Sequence, residues 1–216
     1  YFEEGYKRLA TRMGIDPESG QTVLFDPADP EFMLAYFEEI LHPLEDQGVD
    51  FWWIDWQQGE HSSTPGLDPL WVLNHYHYLD SAHRHGRGLT LSRYCGPGSQ
   101  RYPGDTYITW DSLNFQPEFT ATASNIGYGW WSHDIGGHML GRRDPELETR
   151  WVESGVFSPI MRLHSSNNPF TRKEPWVFEA SHCDIQEEYL RLRHRLVGYV
   201  HSEQLRGREE LLPLIR

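Results

Sequence analysis

The chain has 216 residues, of which 38% are hydrophobic and 14% aromatic, enough apolar material for one domain with a substantial core; this composition excludes a disordered chain. Its formal net charge of -13 at pH 7 and the absence of any block among its 19 basic residues exclude polyanions and anionic lipid as favoured partners: no nucleic acid and no membrane. A neutral ligand fits this balance, and nine tryptophans serve either as core filling or as flat stacking surfaces.

Phe2, Tyr6, Leu9 and Met13 recur at helical spacing and Gly14 ends the run, so residues 1–13 read as a helix. The chain opens on Tyr1 rather than Met, already inside that helix, which reads as a fragment of a longer protein. Thr22 to Phe25 is a short candidate strand. Asp29 and Pro30 then make a cap-plus-first-position start for a helix carrying Phe32, Met33, Tyr36, Phe37, Ile40 and Leu44, stopped by Gly48. The stretch VDFWWIDWQQGE follows from Val49. Five of its first six residues are apolar, the composition of a strand buried on both faces, and it breaks at Asp55 into a polar loop running to Leu67. A carboxylate at the exit of a buried strand is either satisfied by donors or placed for chemistry.

Asp68 and Pro69 repeat the same helix start, and Gly86 closes that helix after His85. Gly88 to Arg93 reads as a strand, Tyr94 to Thr106 as a loop rich in glycine and proline, and Asp111 to about Ser124 as a helix with a weaker pattern. Tyr128 to Ser132 is strand-like, with the polar exit HDIGGH. Asp144 with Pro145 opens another helix, Val156 to Leu163 forms the next strand with the exit RLHSSNNP, and a last amphipathic helix runs from about Asp184 to Tyr199, before a charged tail. Strand and helix alternate in units of roughly 30–40 residues, the signature of parallel βα units. No Gly-x-Gly-x-x-Gly turn follows a strand, which argues against a dinucleotide-binding sheet. Asp55, Arg93, Asp134, Arg162 and His164 all fall at the C-terminal ends of successive strands, the face on which a (β/α)8 barrel carries its site. Such a barrel usually takes about 250 residues and eight strands. With four clear strands and one or two doubtful ones, the expectation is a single domain over residues 1–216 that makes up the second, C-terminal half of a TIM-type barrel.

Three carboxylates, Asp55, Asp105 and Asp134, share these strand-end positions with Arg93, Arg101 and Arg162. Two carboxylates flanking one bond, one ionised and one protonated, are what glycosidic cleavage requires, although any single acid–arginine pair reads equally well as a structural ion pair. The twelve histidines raise a metal alternative. His75/His77 and His133/His138 lack metalloprotease spacing, and helical residues two apart point to different faces, so no metal site is expected. Ser92, Ser99 and Ser132 lie in no Gly-x-Ser-x-Gly elbow. Only Cys95 and Cys183 are present, which sets no disulfide framework and leaves the compartment open.

The motifs VDFWWIDWQQGE, GSQRYPGDT, WWSHDIGGH and FSPIMRLH, in this order and over about Met13 to Arg216, resemble glycoside hydrolase family 31. The resemblance implies a retaining α-glycosidase, most often an α-glucosidase, whose (β/α)8 barrel is flanked by β-domains that this chain would lack. It implies Asp55 as the nucleophile after strand four and Asp105 as the general acid/base after strand six. It implies Asp134, Arg162 and His164 as ligands of the sugar hydroxyls in subsite -1, Arg101 beside them and Trp53 as an aromatic lining. It further implies an α-linked oligosaccharide or glycoside as partner and no metal or organic cofactor. The sequence departs from the family pattern in four places. Tyr102 and Pro103 run straight into Gly104 and Asp105, where members usually carry a longer aromatic-containing segment. No tryptophan stands near Ser19 to Phe25. Gly198 replaces a common proline, and Gln57-Gln58 replaces the Asn-Glu frequent in α-glucosidases. α-Xylosidase, α-galactosidase and α-N-acetylgalactosaminidase specificities therefore stay open, as does a non-catalytic sugar-binding or structural fragment. A half barrel would expose strand edges that call for self-association or for the missing barrel half.

Overall fold

The computed structural model describes residues 4–55, 59, 61–92, 107–123, 125 and 130–210, in two compact units, Tyr1–Tyr102 and Pro103–Arg216. In the first unit, α1 (Glu4–Arg12) precedes α2 (Pro30–Tyr36), where Asp29 accepts from the Glu31 amide at 2.9 Å and Pro30 presets the first turn. The helix then loosens into a π turn over Phe37–Leu41 before α3 (His42–Asp46). Pro43 accounts for this: it has no N–H to offer the carbonyl four residues back, that of Glu39. The Arg8 guanidinium fills the gap, donating from Nε and Nη2 to the Glu39 carbonyl at 3.1 and 2.8 Å.

Strand β1 (Trp52–Ile54) pairs in parallel with β2 (Thr90–Ser92), Trp53 opposite Leu91, and α4 (Pro69–His85) connects them. Asp68 caps α4 through the Leu70 amide, and Gly86, at φ 74°, ends it in the left-handed conformation. Leu9, Phe32, Met33, Phe37, Leu41, Ile54, Leu70 and Leu73 make the core. Two expectations change. Thr22 to Phe25 joins no ladder; Leu24 is exposed while Phe25 packs edge-on against Phe32 and Tyr36. Nor is β1 buried on both faces: Phe51 and Trp53 are 48% and 43% exposed and alternate with Ile54 at 3%, so its apolar run is a half-buried strand with an aromatic outer face. On α4, His77 is buried and His75 is exposed against Trp71, as helical geometry requires of residues two apart.

In the second unit, β3 (Tyr107–Ile108) pairs in parallel with β4 (Met139–Gly141), a pairing absent from the sequence expectations. Helix α5 (Trp110–Ala123) and helix α6 (Pro145–Gly155) follow the expected positions, α6 capped by Asp144, which accepts from the Glu146 and Leu147 amides. The expected strand from Val156 to Leu163 is shorter than its apolar run. Val156 to Ser158 turns back on α6, and only Ile160 and Leu163 form bridges, to Ser132 and Ile135. Past the 3-10 turns Pro169–Thr171 and Pro175–Val177, α7 (Ala180–Arg195) is followed directly by α8 (Val197–Glu210), so helix continues through Gly198 into the charged tail. Ile108, Leu113, Ile135, Leu147 and Trp151 form this unit's core, with Met161 and Leu163 packed on it. Among the described residues no helix is long and apolar enough to cross a membrane.

Candidate active site

The polar centre of the second unit is built on two parallel extended segments, residues 131–135 and 160–164. Backbone bonds hold them in register: Ile160 N to Trp131 O, Ile135 N to Arg162 O and His164 N to Ile135 O, at 3.1–3.3 Å. Because side chains alternate along such segments, one pattern sorts their residues between two faces. Trp131, His133, Ile135, Met161 and Leu163 face the core, whereas Ser132, Asp134, Arg162 and His164 share the other face.

On that face Arg162 donates from Nη2 to Asp134 Oδ1, and from Nε to Ser132 Oγ at 3.3 Å. Asp134 is 3% exposed, so its charge is sustained by the guanidinium beside it. After Asp134 the chain turns sharply, Gly137 N bonding Asp134 O at 2.9 Å, and this turn returns His138 to the cluster. The His138 and His164 rings lie 4.6 Å apart between centroids, and Asp134, His138 and His164 each bring a polar atom within 4.8 Å of the others. His138 is the residue that strand-end reasoning left out of the site; its only sequence signal is its place at the end of HDIGGH, after two glycines. Ser132 was legible as Asp134's neighbour on the same face, two residues earlier.

His133, on the inner face, is a core residue. Its Nδ1–H donates to Gln116 Oε1 at 2.7 Å and its Nε2 accepts from the Ser158 hydroxyl at 2.8 Å, the arrangement of a neutral ring. Burial depresses its pKa to about 4; the Asp134 carboxylate opposes this and the Arg162 cation adds to it. The outer cluster thus combines one carboxylate, one guanidinium and two imidazoles, with opposite charges already paired. It is better matched to a neutral ligand with several hydroxyls, each donating and accepting, than to a cation, which Arg162 would repel.

In the first unit Trp53 and Asp55 lie two residues apart where β1 leaves its sheet, a spacing that puts both on one side of an extended segment. Asp55 is half-buried. The loop beyond it is pinned at its far end, with Ser62 Oγ donating to Leu67 O at 2.9 Å and the buried Asp26 accepting from the Ser63 and Ala28 amides. A hydrogen bond from the Ser63 side chain is the main reason that the Asp26 carboxyl is held below its ordinary pKa, with the Ala28 and Ser63 amides adding to it. Arg93, Arg101 and Asp105 lie outside the described residues.

Comparison with known proteins matches residues 3–203 to the profile of the glycosyl hydrolases family 31 TIM-barrel domain. Alpha-xylosidase A of Aspergillus niger is 34% identical over 152 residues, covering 58% of this chain and 21% of that protein. Alpha-xylosidase of Saccharolobus solfataricus is 28% identical over 211 residues, 84% of this chain and 28% of that protein. Human neutral alpha-glucosidase C is 33% identical over 120 residues, 54% of this chain and 13% of that protein. Among solved structures, a GH31 alpha-xylosidase from a soil metagenome, complexed with xylose, superposes with a TM-score of 0.67 at 25% identity, covering 87% of this chain and 34% of that one. The chain therefore spans between about an eighth and a third of the proteins named. The parallel βα order, the polar strand exits and a profile match over nearly its whole length lead to one conclusion: this chain belongs to the TIM-barrel domain of glycosyl hydrolases family 31.

Proposed function

We propose that the chain is the C-terminal part of the catalytic barrel, strands four to eight, of a retaining α-glycoside hydrolase. In this reading Asp55 attacks the anomeric carbon while protonated Asp105 donates its proton to the leaving glycosidic oxygen. Asp105, now ionised, then takes a proton from the water that releases the sugar from Asp55, so two inversions restore the α configuration. Retention requires the two carboxyl groups to stand about 5–5.5 Å apart. Asp134, Arg162 and His164 hold the hydroxyls of the bound sugar, Trp53 lines its apolar face, and Arg93 and Arg101 assist at the strand ends.

The observation that carries this reading is the Ser132–Asp134–Arg162–His164 face with His138 turned onto it: a charge-compensated array of donors and acceptors suited to a polyhydroxylated ring. The sugar is proposed to be α-linked glucose. A second reading, an α-xyloside, is favoured by the 34% identity to Alpha-xylosidase A and by the long match to the Saccharolobus solfataricus enzyme. The two ligands differ by one hydroxymethyl group, so nitrophenyl α-glucoside and α-xyloside compared on the same preparation separate them. The mechanism is tested by incubating the chain with a 5-fluoroglycosyl fluoride and digesting it: the covalent sugar should appear on the peptide carrying Asp55 and vanish in Asp55→Ala. An adduct elsewhere, or binding of sugar with no adduct and no turnover, would exclude the chemistry and leave a sugar-binding fragment.

A further inference from the structure

Beneath the turn that joins Asp134 to His138 lies an ion pair that the proposed chemistry does not use. Glu148, on α6, is 3% exposed, and Lys173, in the segment that continues from His164 past the Pro169–Thr171 turn, is 6% exposed. Lys173 Nζ stands 3.3 Å from Glu148 Oε2, while Oε1 has no hydrogen-bond partner among the described residues. Burial raises the Glu148 pKa to about 7 against the opposing pull of Lys173, the mark of a carboxylate whose charged form is expensive to keep there.

The pair touches the turn directly. Gly136, at φ 96°, leaves no room for a side chain: a Cβ there would lie 2.6 and 2.7 Å from the two Glu148 oxygens and 2.7 Å from Lys173 Cδ. Gly137, at φ 79°, is equally close to β3, its Cβ position being 2.5 Å from the Tyr107 carbonyl oxygen. The turn is therefore clamped between the buried pair on one side and the β3 backbone on the other. Glu148 comes from the helix that follows the turn, and Lys173 from the chain that leaves His164. The pair thus bridges the two strand exits that supply the polar cluster, beside a second tie in which Ser166 N donates to the His138 carbonyl at 3.2 Å.

We infer that the Glu148–Lys173 pair is a positioning device: it seats the Gly136-Gly137 turn and thereby fixes His138 and Asp134 against His164. The inference rests on the functional reading only for its consequence, the orientation of a bound sugar. A buried ion pair exchanged for apolar residues of similar volume often leaves stability unchanged, so the pair is weak evidence of a contribution to stability and its position under the turn carries the inference.

The test uses the full chain and two variants, Glu148→Gln, which keeps the shape, and the double variant Glu148→Leu/Lys173→Met, which keeps an apolar filling. Rings 4.6 Å apart give a strong nuclear Overhauser effect between His138 and His164. That effect should weaken or disappear in both variants while the spectrum stays that of a folded chain. The KM for a nitrophenyl α-glycoside should rise on the order of 10-fold or more, with a smaller change in kcat, as expected of a misaligned binding group. An undiminished His138–His164 effect in the folded double variant would show the pair to be packing alone and overturn the inference. If the double variant does not fold, Glu148→Gln decides by the same readout. Failure of the unmodified chain to turn over any α-glycoside would count against the functional reading, while the ring-to-ring effect would still decide the role of the pair.

Discussion

At the scale of single residues, Arg162 shows how a short extended segment converts spacing into chemistry. Its position two residues before His164, and that of Asp134 two residues after Ser132, were enough to put all four on common faces, because alternation in an extended chain needs no tertiary information. The partnership between Arg162 and Asp134 could not be read in the same way, since their 28-residue separation is closed only by the register of two segments. Asp134 is the more buried of the two side chains, at 4% against 21% for Arg162. Asp134→Ala, which takes the carboxylate from a largely buried guanidinium, should cost about 3 kcal/mol in urea unfolding and should abolish sugar binding by titration. Asp134→Asn, which keeps an acceptor, should cost less. Arg162→Lys should lose most of the binding even though the charge is kept, because a single ammonium does not reproduce a fork that reaches Ser132 and Asp134 together.

At the scale of elements, glycine and proline decide features that periodicity passes over. The helix from Asp29 to Gly48 was legible from its cap and its apolar spacing, but not its π turn, which follows from a missing N–H at Pro43 and is stabilised by Arg8 from another helix. Strands β3 and β4, at two and three residues, are too short to show alternation and exist through pairing with each other. Gly141, at φ 140°, and Gly137 both approach β3 too closely for a side chain. Gly137→Ala should therefore destabilise the fold by about 2 kcal/mol or more, from left-handed strain added to a backbone clash, read from the thermal midpoint. Gly198 is the contrast: a Cβ there would meet nothing, so Gly198→Ala inside α8 should stabilise by about 0.5–1 kcal/mol. Asp144→Ala, which removes an acceptor from two amides at the start of α6, should cost about 1 kcal/mol.

At the scale of the whole molecule, each unit buries one neutral histidine among its described residues, His77 in the first and His133 in the second, and burial depresses both pKa values to about 4. An unfolded histidine takes up its proton near pH 6.5, so the stabilising contribution of each is present above that pH and is lost as pH falls towards 4. The expected loss is on the order of 3 kcal/mol for each ring. Glu148 runs the other way. Its folded pKa of about 7 lies above the usual 4.5, so its contribution is present below pH 4.5 and is lost as pH rises through 7. Urea unfolding followed from pH 8 to pH 4 should show a net fall in stability on the acid side, and Glu148→Gln should steepen that fall by removing the opposing slope. A flat profile would show that the two histidines are not buried neutral.

What the sequence determined by itself was whatever depends on neighbours a few residues apart: the capped helices, the parallel βα order, the polar strand exits, and motifs specific enough to indicate the family. Asp55, Asp134, Arg162 and His164 were legible as strand-end residues because a polar residue at the end of an apolar run is a local signal, whereas Trp53 entered only through the family resemblance. Tertiary structure alone decided what depends on residues brought together from afar. It turned His138 onto His164, closed the Arg162–Asp134 pair, hid His133 between Gln116 and Ser158, and set Glu148 and Lys173 under the Gly136 turn. The physical reason is the same in each case: burial and charge pairing are set by the register of segments, and register is a property of the packed chain rather than of any one stretch of it.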